Sequence, residues 1–187
     1  MKKSDPDSVH DLRVYLRKYY DVSTSLYPFY DDPECFYLAK RSLSLLGKIR
    51  DMDICGLRDK ERDKNVTKAL NEIQKLNRCY LGTVCCSRLL IYNKVIKLFR
   101  GISDVSDFHE LRKVVRKVRN LVEALDFDVE EIKIIAKKMG DIRDEMLRLE
   151  CRGVKPFNVD INPYKEEARK AITKVLLKQN EFHHFSL

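Results

Sequence analysis

Two histidines, each followed three positions later by an arginine, are the residues of this chain best suited to chemistry. Val9-His10-Asp11-Leu12-Arg13 and Phe108-His109-Glu110-Leu111-Arg112 share the order apolar, His, acidic, Leu, Arg, and each carries a further arginine four residues on, Arg17 and Arg116. The chain holds only four histidines in 187 residues, so half of them mark this one phrase. An imidazole beside guanidinium groups suits a phosphate-type anion. Arginine meets phosphate oxygens two at a time, and histidine donates from one or both ring nitrogens.

Helical spacing turns the phrase into a surface. At ~100° per residue from His10, Arg13 and Arg17 fall in one ~60° arc, with Leu12, Tyr15, Leu16, Tyr19 and Val22 opposite. From His109, the residues Arg112, Arg116 and Arg119 share the histidine's arc, and Lys113 and Lys117 flank it. Phe108, Leu111, Val114, Val115, Val118, Leu121, Val122 and Leu125 fill the other side. Each helix is expected to bury an apolar stripe and to turn a cationic one away from the core. A merely solvated helix mixes signs, whereas Arg112/Arg116 and Lys113/Lys117 are like-charged pairs costing roughly 0.2–0.5 kcal/mol each. Such a face expects an anion.

The phrase is part of a longer repeat. Leu46-Gly47-Lys48-Ile49-Arg50-Asp51 returns as Met139-Gly140-Asp141-Ile142-Arg143-Asp144. The histidines are offset by 99 residues and the glycines by 93, so the intervening loop is six residues shorter in the second copy. Two motifs in the same order imply two homologous helical hairpins, an internal duplication with halves 1–101 and 102–187. Lys40 and Lys133 each stand seven residues before the glycine and, with Lys18, Lys48 and Lys137, are expected to extend the basic wall. Gly47 and Gly140 each cost about 1 kcal/mol against alanine inside a helix, and their repetition predicts close backbone approach between helices. Arg50-Asp51 and Arg143-Asp144 read as structural pairs and stay outside the expected binding set.

Six glycines and five prolines argue against a loop-rich β fold, and helical periodicity runs nearly throughout, so the fold class is all-α. Helices are expected from Asp5-Pro6, capped by Asp5 or Ser4, to near Leu26, and from Asp32-Pro33 through Leu57. The charged stretch 58–64 is expected as a linker. A third helical region spans 65–99 with a break near Asn77 or Gly82. Further helices cover 107–125, 129–151 and 162–180, and the tail with His183-His184 is expected to fray.

Lys and Arg number 37 against 29 Asp and Glu, a formal charge of +8 that favours polyanionic partners. No apolar stretch approaches membrane-spanning length, and Met1-Lys2-Lys3 leads straight into Ser4-Asp5-Pro6-Asp7, so a cytoplasmic protein without a membrane partner is expected. The six cysteines form no C-x-x-C pair, so neither a metal nor another cofactor is expected. Most are expected to be buried small hydrophobes, with disulfides left open.

These motifs resemble the CHAD family, the conserved-histidine α-helical domains. The likeness rests on His10 with Arg13, Arg17 and Lys18, on Leu46-Gly47-Lys48-Ile49-Arg50-Asp51-Met52-Asp53, on His109 with Arg112, Arg116-Lys117 and Arg119, and on Gly140 with Arg143-Asp144. It covers essentially the whole chain in order. The resemblance implies two antiparallel helical bundles related by a pseudo-twofold, with a basic groove that binds inorganic polyphosphate, and an association with polyphosphate granules. Some members are fused to a triphosphate tunnel metalloenzyme, but its Glu-x-Glu-x-Lys strand motif does not occur here. A stand-alone, non-catalytic binding module is therefore expected. Its site comprises His10, Arg13, Arg17, Lys18, Lys40, Lys48, His109, Arg112, Lys113, Arg116, Arg119, Lys133 and Lys137. Tyr19-Tyr20 stand where the second copy has Val118-Arg119, so the second copy is expected to bind more strongly.

Two alternatives share the charge. Nucleic-acid binding would add exposed aromatics for stacking, and the tyrosines are expected mostly on apolar stripes. A phosphohydrolase would need clustered carboxylates for a metal. Asp51/Asp53 and Asp144/Glu145 are the candidates, read as structural.

Overall fold

The computed structural model describes residues 5–82 and 84–182. Its elements are helical, with no strand among the described residues: α1 (Pro6–Ser23), α2 (Pro33–Ile54), α3 (Lys60–Gln74), α4 (Ser87–Gly101), α5 (Phe108–Ala124), α6 (Glu130–Cys151) and α7 (Asn162–Phe182). Short 3-10 turns follow α3 at Lys75–Arg78 and α4 at Ile102–Asp104. Ser4 and the His183-His184 tail lie outside the described residues.

Aspartates start the helices as their types dictate. Asp5 accepts from the Asp7 and Ser8 amides, Asp32 from Cys35, Asp59 from Arg62 and Asp107 from Glu110, with proline in the first turn of α1 and α2. Each cap satisfies amides that no carbonyl inside the helix can reach. The ends are set by backbone handedness. Gly56 (φ 74) and Gly153 (φ 72) take the left-handed conformation just past α2 and α6, where a side chain would be strained. This stops α2 at Ile54, short of the expected Leu57.

One element departs from the expectation. The charged stretch 58–64 is not a linker, because α3 begins inside it. Asp59 caps the helix, and Glu61 and Asp63 complement its N-terminal dipole. Arg62 turns inward, its Nε 2.6 Å and Nη2 3.2 Å from the two carboxylate oxygens of Asp53 on α2. A buried two-point ion pair thus accommodates an arginine at a core position of α3.

The chain divides into two compact units. The first contains residues up to Ser87 together with Leu147–Lys155. Its core is apolar contact among Val9 and Leu16 of α1, Ala39, Leu46 and Ile49 of α2, and Val66 and Ala69 of α3. Two disulfides, Cys35–Cys79 and Cys55–Cys151, lie in this unit. The expectation that most cysteines are buried small hydrophobes is therefore corrected. Of the six, only Cys35 is buried, four are paired, and Cys85 and Cys86 are exposed thiols.

The second unit holds Arg88–Met146 and the chain from Pro156 on. Here α7 ties the other helices together. Tyr164 meets Phe108 of α5 edge-on, Arg169 stacks over Phe99 of α4 at 5.1 Å, and Lys138 of α6 pairs with Glu167 at 3.1 Å. The units follow packing rather than the repeat halves 1–101 and 102–187: α4 falls in the second unit, and the last turn of α6 in the first.

Candidate anion-binding site

The apolar face of α5 decides where its cations go. Phe108, Leu111, Val115, Val118, Leu121 and Val122 are all buried, which fixes the rotation of the helix about its axis. The opposite arc then carries His109, Arg112, Arg116 and Arg119. The arginines do not stand free on an outward face, as expected, but are half-buried. The Nε atom of Arg116 is wholly shielded from water. Side chains lying along the protein keep their apolar stems covered and lose less freedom when an anion arrives.

His109 feels both burial and the positive charge of this patch. It is exposed by area, yet its pKa is pushed below the ordinary 6.5, first by desolvation, then by the charges of Lys113, Arg112 and Arg143. Asp107 opposes them weakly. Cations from α5 and from α6 thus act on one imidazole. Further along, the charge of Arg119 is felt by Lys133 of α6, so the basic field continues toward the C-terminal end of α5.

Arg119 is held in place. Its Nε and Nη2 donate to Asn120 Oδ1 at 3.3 and 2.9 Å, and Asn120 is only 1% exposed. In the first unit the residue at the same repeat offset is Asp21, likewise buried at 7%. Both lie near ~20° from their histidine on the wheel, on the cationic side. A buried polar residue therefore closes each basic stripe. The 99-residue offset pairs Asp21 with Asn120 from sequence, but neither type advertises a binding role by itself.

In the first unit, Arg13, Arg17 and Lys18 of α1 are half-buried and His10 is exposed. The Nε atom of Arg13 is shielded from water. The guanidinium of Arg13 lies across Gly47 of α2, where a Cβ would stand 3.5 Å from Nη2 and 4.0 Å from Nε. Among the described residues outside its own helix, no backbone atom lies within 4 Å of a Cβ built on Gly47, and nothing lies that close to one built on Gly140. The expected close approach of helix backbones is thus corrected: at Gly47 the neighbour is an arginine side chain, and at Gly140 there is none.

The lysines divide. Lys113 pairs with Glu110 at 2.7 Å and Lys133 with Glu130 at 2.9 Å, each across one helical turn. Lys40, Lys48 and Lys137 are exposed, and Lys137 is not among the charges that shift His109. Arg143 belongs with the patch although its Arg-Asp context reads as structural. Its Nη1 is shielded from water and its charge reaches His109.

The carboxylates have other work. Asp53 is taken by Arg62 in a pair whose side chains are almost fully buried. Among the described residues, no group of three or more His, Cys, Asp or Glu is placed to hold a metal ion. Tyrosine placement corrects an expectation: Tyr15 is 73% exposed although it falls on the apolar arc of α1, and Tyr27, Tyr37 and Tyr80 are exposed as well. Among the described residues, no helix is long and apolar enough to cross a membrane. No family model matches the chain, and neither a curated protein nor a solved structure matches it.

Proposed function

We propose that this chain binds inorganic polyphosphate, without catalysis, through the basic faces of α1 and α5, as a stand-alone module of the CHAD type. The observation that carries the reading is the convergence of Arg112, Lys113 and Arg143 on His109, with Arg116 and Arg119 following along the same helix. Polyphosphate carries about one charge per phosphate and offers no bases to read, so its receptor needs repeated cations rather than a shaped pocket. Arg112 to Arg119 spans ~10 Å of helix at ~1.5 Å per residue, enough for several successive phosphates. Half-buried arginines supply paired N–H donors of fixed geometry, and the exposed Lys40 and Lys48 in the first unit and Lys137 in the second add diffuse positive charge. The pseudo-twofold between the repeats and an association with polyphosphate granules belong to the same reading.

Titration calorimetry with long-chain polyphosphate at rising salt tests it. Counterion release predicts affinity falling steeply and linearly on a log–log plot, by analogy with nucleic acids. An affinity indifferent to salt would sink the mechanism.

The exposed tyrosines favour nucleic acid as the second reading, because stacking needs accessible rings. Tyr15, however, falls ~160° from Arg17 on the α1 wheel, away from the cations. Competition separates the two. Polyphosphate should displace duplex DNA and RNA at equal phosphate concentration, and the reverse order would favour the nucleic-acid reading. For the phosphohydrolase alternative, phosphate release from tripolyphosphate with added Mg²⁺ is the corresponding assay, and none is expected.

A further inference from the structure

Four of the six cysteines are joined in disulfides, and the remaining two are neighbours in sequence, Cys85 and Cys86. Both are exposed, and their Sγ atoms lie 3.4 Å apart. They sit in a turn just before α4, and Cys86 has φ 58, a left-handed conformation that residues with a Cβ seldom adopt. The turn sets the two sulfurs side by side instead of on opposite sides of the chain. No third metal ligand accompanies them among the described residues, so a tetrahedral metal centre is not what the pair suits.

We propose that Cys85 and Cys86 form a dithiol site for thiol–disulfide exchange with small-molecule disulfides, closing to a reversible disulfide between adjacent residues. The Cys85 thiolate attacks one sulfur of a disulfide RSSR, forming a Cys85–SR mixed disulfide and expelling RS⁻. The Cys86 thiolate then attacks the Cys85 sulfur, forming the Cys85–Cys86 bond and expelling the second RS⁻. Two protein thiols are oxidised, the small disulfide is reduced to two thiols, and both protein protons pass to the departing thiolates. Hydrogen bonding to Cys85 and the charge on its sulfur hold the Cys86 thiol above its ordinary pKa.

Geometry favours the second step and also makes it reversible. With the resolving sulfur already 3.4 Å away, ring closure outruns encounter with a second small disulfide. Adjacent Cα atoms are only ~3.8 Å apart across a trans peptide, below the ~4.4–6.8 Å usual for disulfides, so the eight-membered ring is strained and easily reduced. It should therefore open readily as the medium becomes reducing.

Oxidised glutathione added to the full chain, with both long-range disulfides in place, is the test, read by intact mass and alkylation mapping. The expected product has lost two hydrogens, carries no glutathione, and resists alkylation at Cys85 and Cys86. Cys86→Ser should trap one stable glutathione on Cys85. A wild-type chain that keeps one or two glutathiones, stays fully alkylatable at both positions, or crosslinks to a second chain through them would overturn the proposal.

Discussion

Helices α1 and α5 carry the same His-x-x-Arg phrase, yet they are seated differently. α5 buries six apolar residues (Phe108, Leu111, Val115, Val118, Leu121 and Val122) with Asn120, whereas α1 buries Val9, Leu16, Asp21 and Ser23 and leaves Tyr15 open to solvent. The basic faces differ in parallel: Arg112, Arg116 and Arg119 line α5, while Tyr20 replaces the last arginine in α1. What fastens the units differs too. The first adds the buried Asp53–Arg62 pair and two disulfides to its apolar core. The second combines its apolar core with exposed pairs such as Lys138–Glu167 and Lys178–Asp128, each worth little in water. The helix with the more completely buried apolar face also carries the longer run of arginines.

The largest expected effect strikes the first unit. Arg62→Ala strands the Asp53 carboxylate among buried groups, and breaking such a pair costs about 3–5 kcal/mol. Urea unfolding should show that loss, and Met146, which stands at the offset of Asp53 in the second copy, should tolerate Leu nearly without cost. Removing Cys35–Cys79 by serine at both positions opens a loop spanning 44 residues. It should cost about 2–4 kcal/mol in the first unit and leave hydrogen exchange of α5 unchanged. Equal weakening of both units would erase the contrast between them.

A smaller effect sharpens the contrast in binding. His109 starts with a pKa below 6.5, and a bound phosphate raises it, so binding takes up a proton. Affinity should rise a few-fold as pH falls through the bound-state pKa and level off below the free-state pKa. His109→Ala should flatten that rise. Stability moves oppositely: the unfolded histidine takes a proton more readily than the folded one, so the second unit loses stability as pH falls below about 6.5. Smallest is the glycine pair. Gly140→Ala enters open space and should gain up to ~1 kcal/mol of helix stability. Gly47→Ala meets the Arg13 guanidinium and should gain less while weakening polyphosphate binding slightly.

The all-helical fold was legible because capping aspartates, prolines and apolar periodicity agree along most of the chain. The 58–64 stretch was not, because its charges read as solvated until Asp53 is known to receive Arg62. The arginine arc of α5 was legible from the wheel, but its half-burial was not, since periodicity gives direction and not depth. The reach of Arg143 to His109 is not legible, because an Arg-Asp dipeptide looks the same whether its arginine serves a neighbour or a ligand. The exposure of Tyr15 is not legible either, because an amphipathic ring on the apolar arc tolerates burial or solvent.

The central claim is that the basic faces of α1 and α5 bind polyphosphate and that α5 contributes more. Calorimetry on two double variants, Arg13→Ala with Arg17→Ala and Arg112→Ala with Arg116→Ala, tests it most directly, with thermal melts confirming that each is folded. At roughly 1.5–3 kcal/mol for a hydrogen bond to a charged group, the α5 pair should weaken binding by a factor of a hundred or more, and the α1 pair, whose arginines are expected to be only partly engaged, by less. Unchanged affinity in both variants, or a larger loss from α1, would contradict the account.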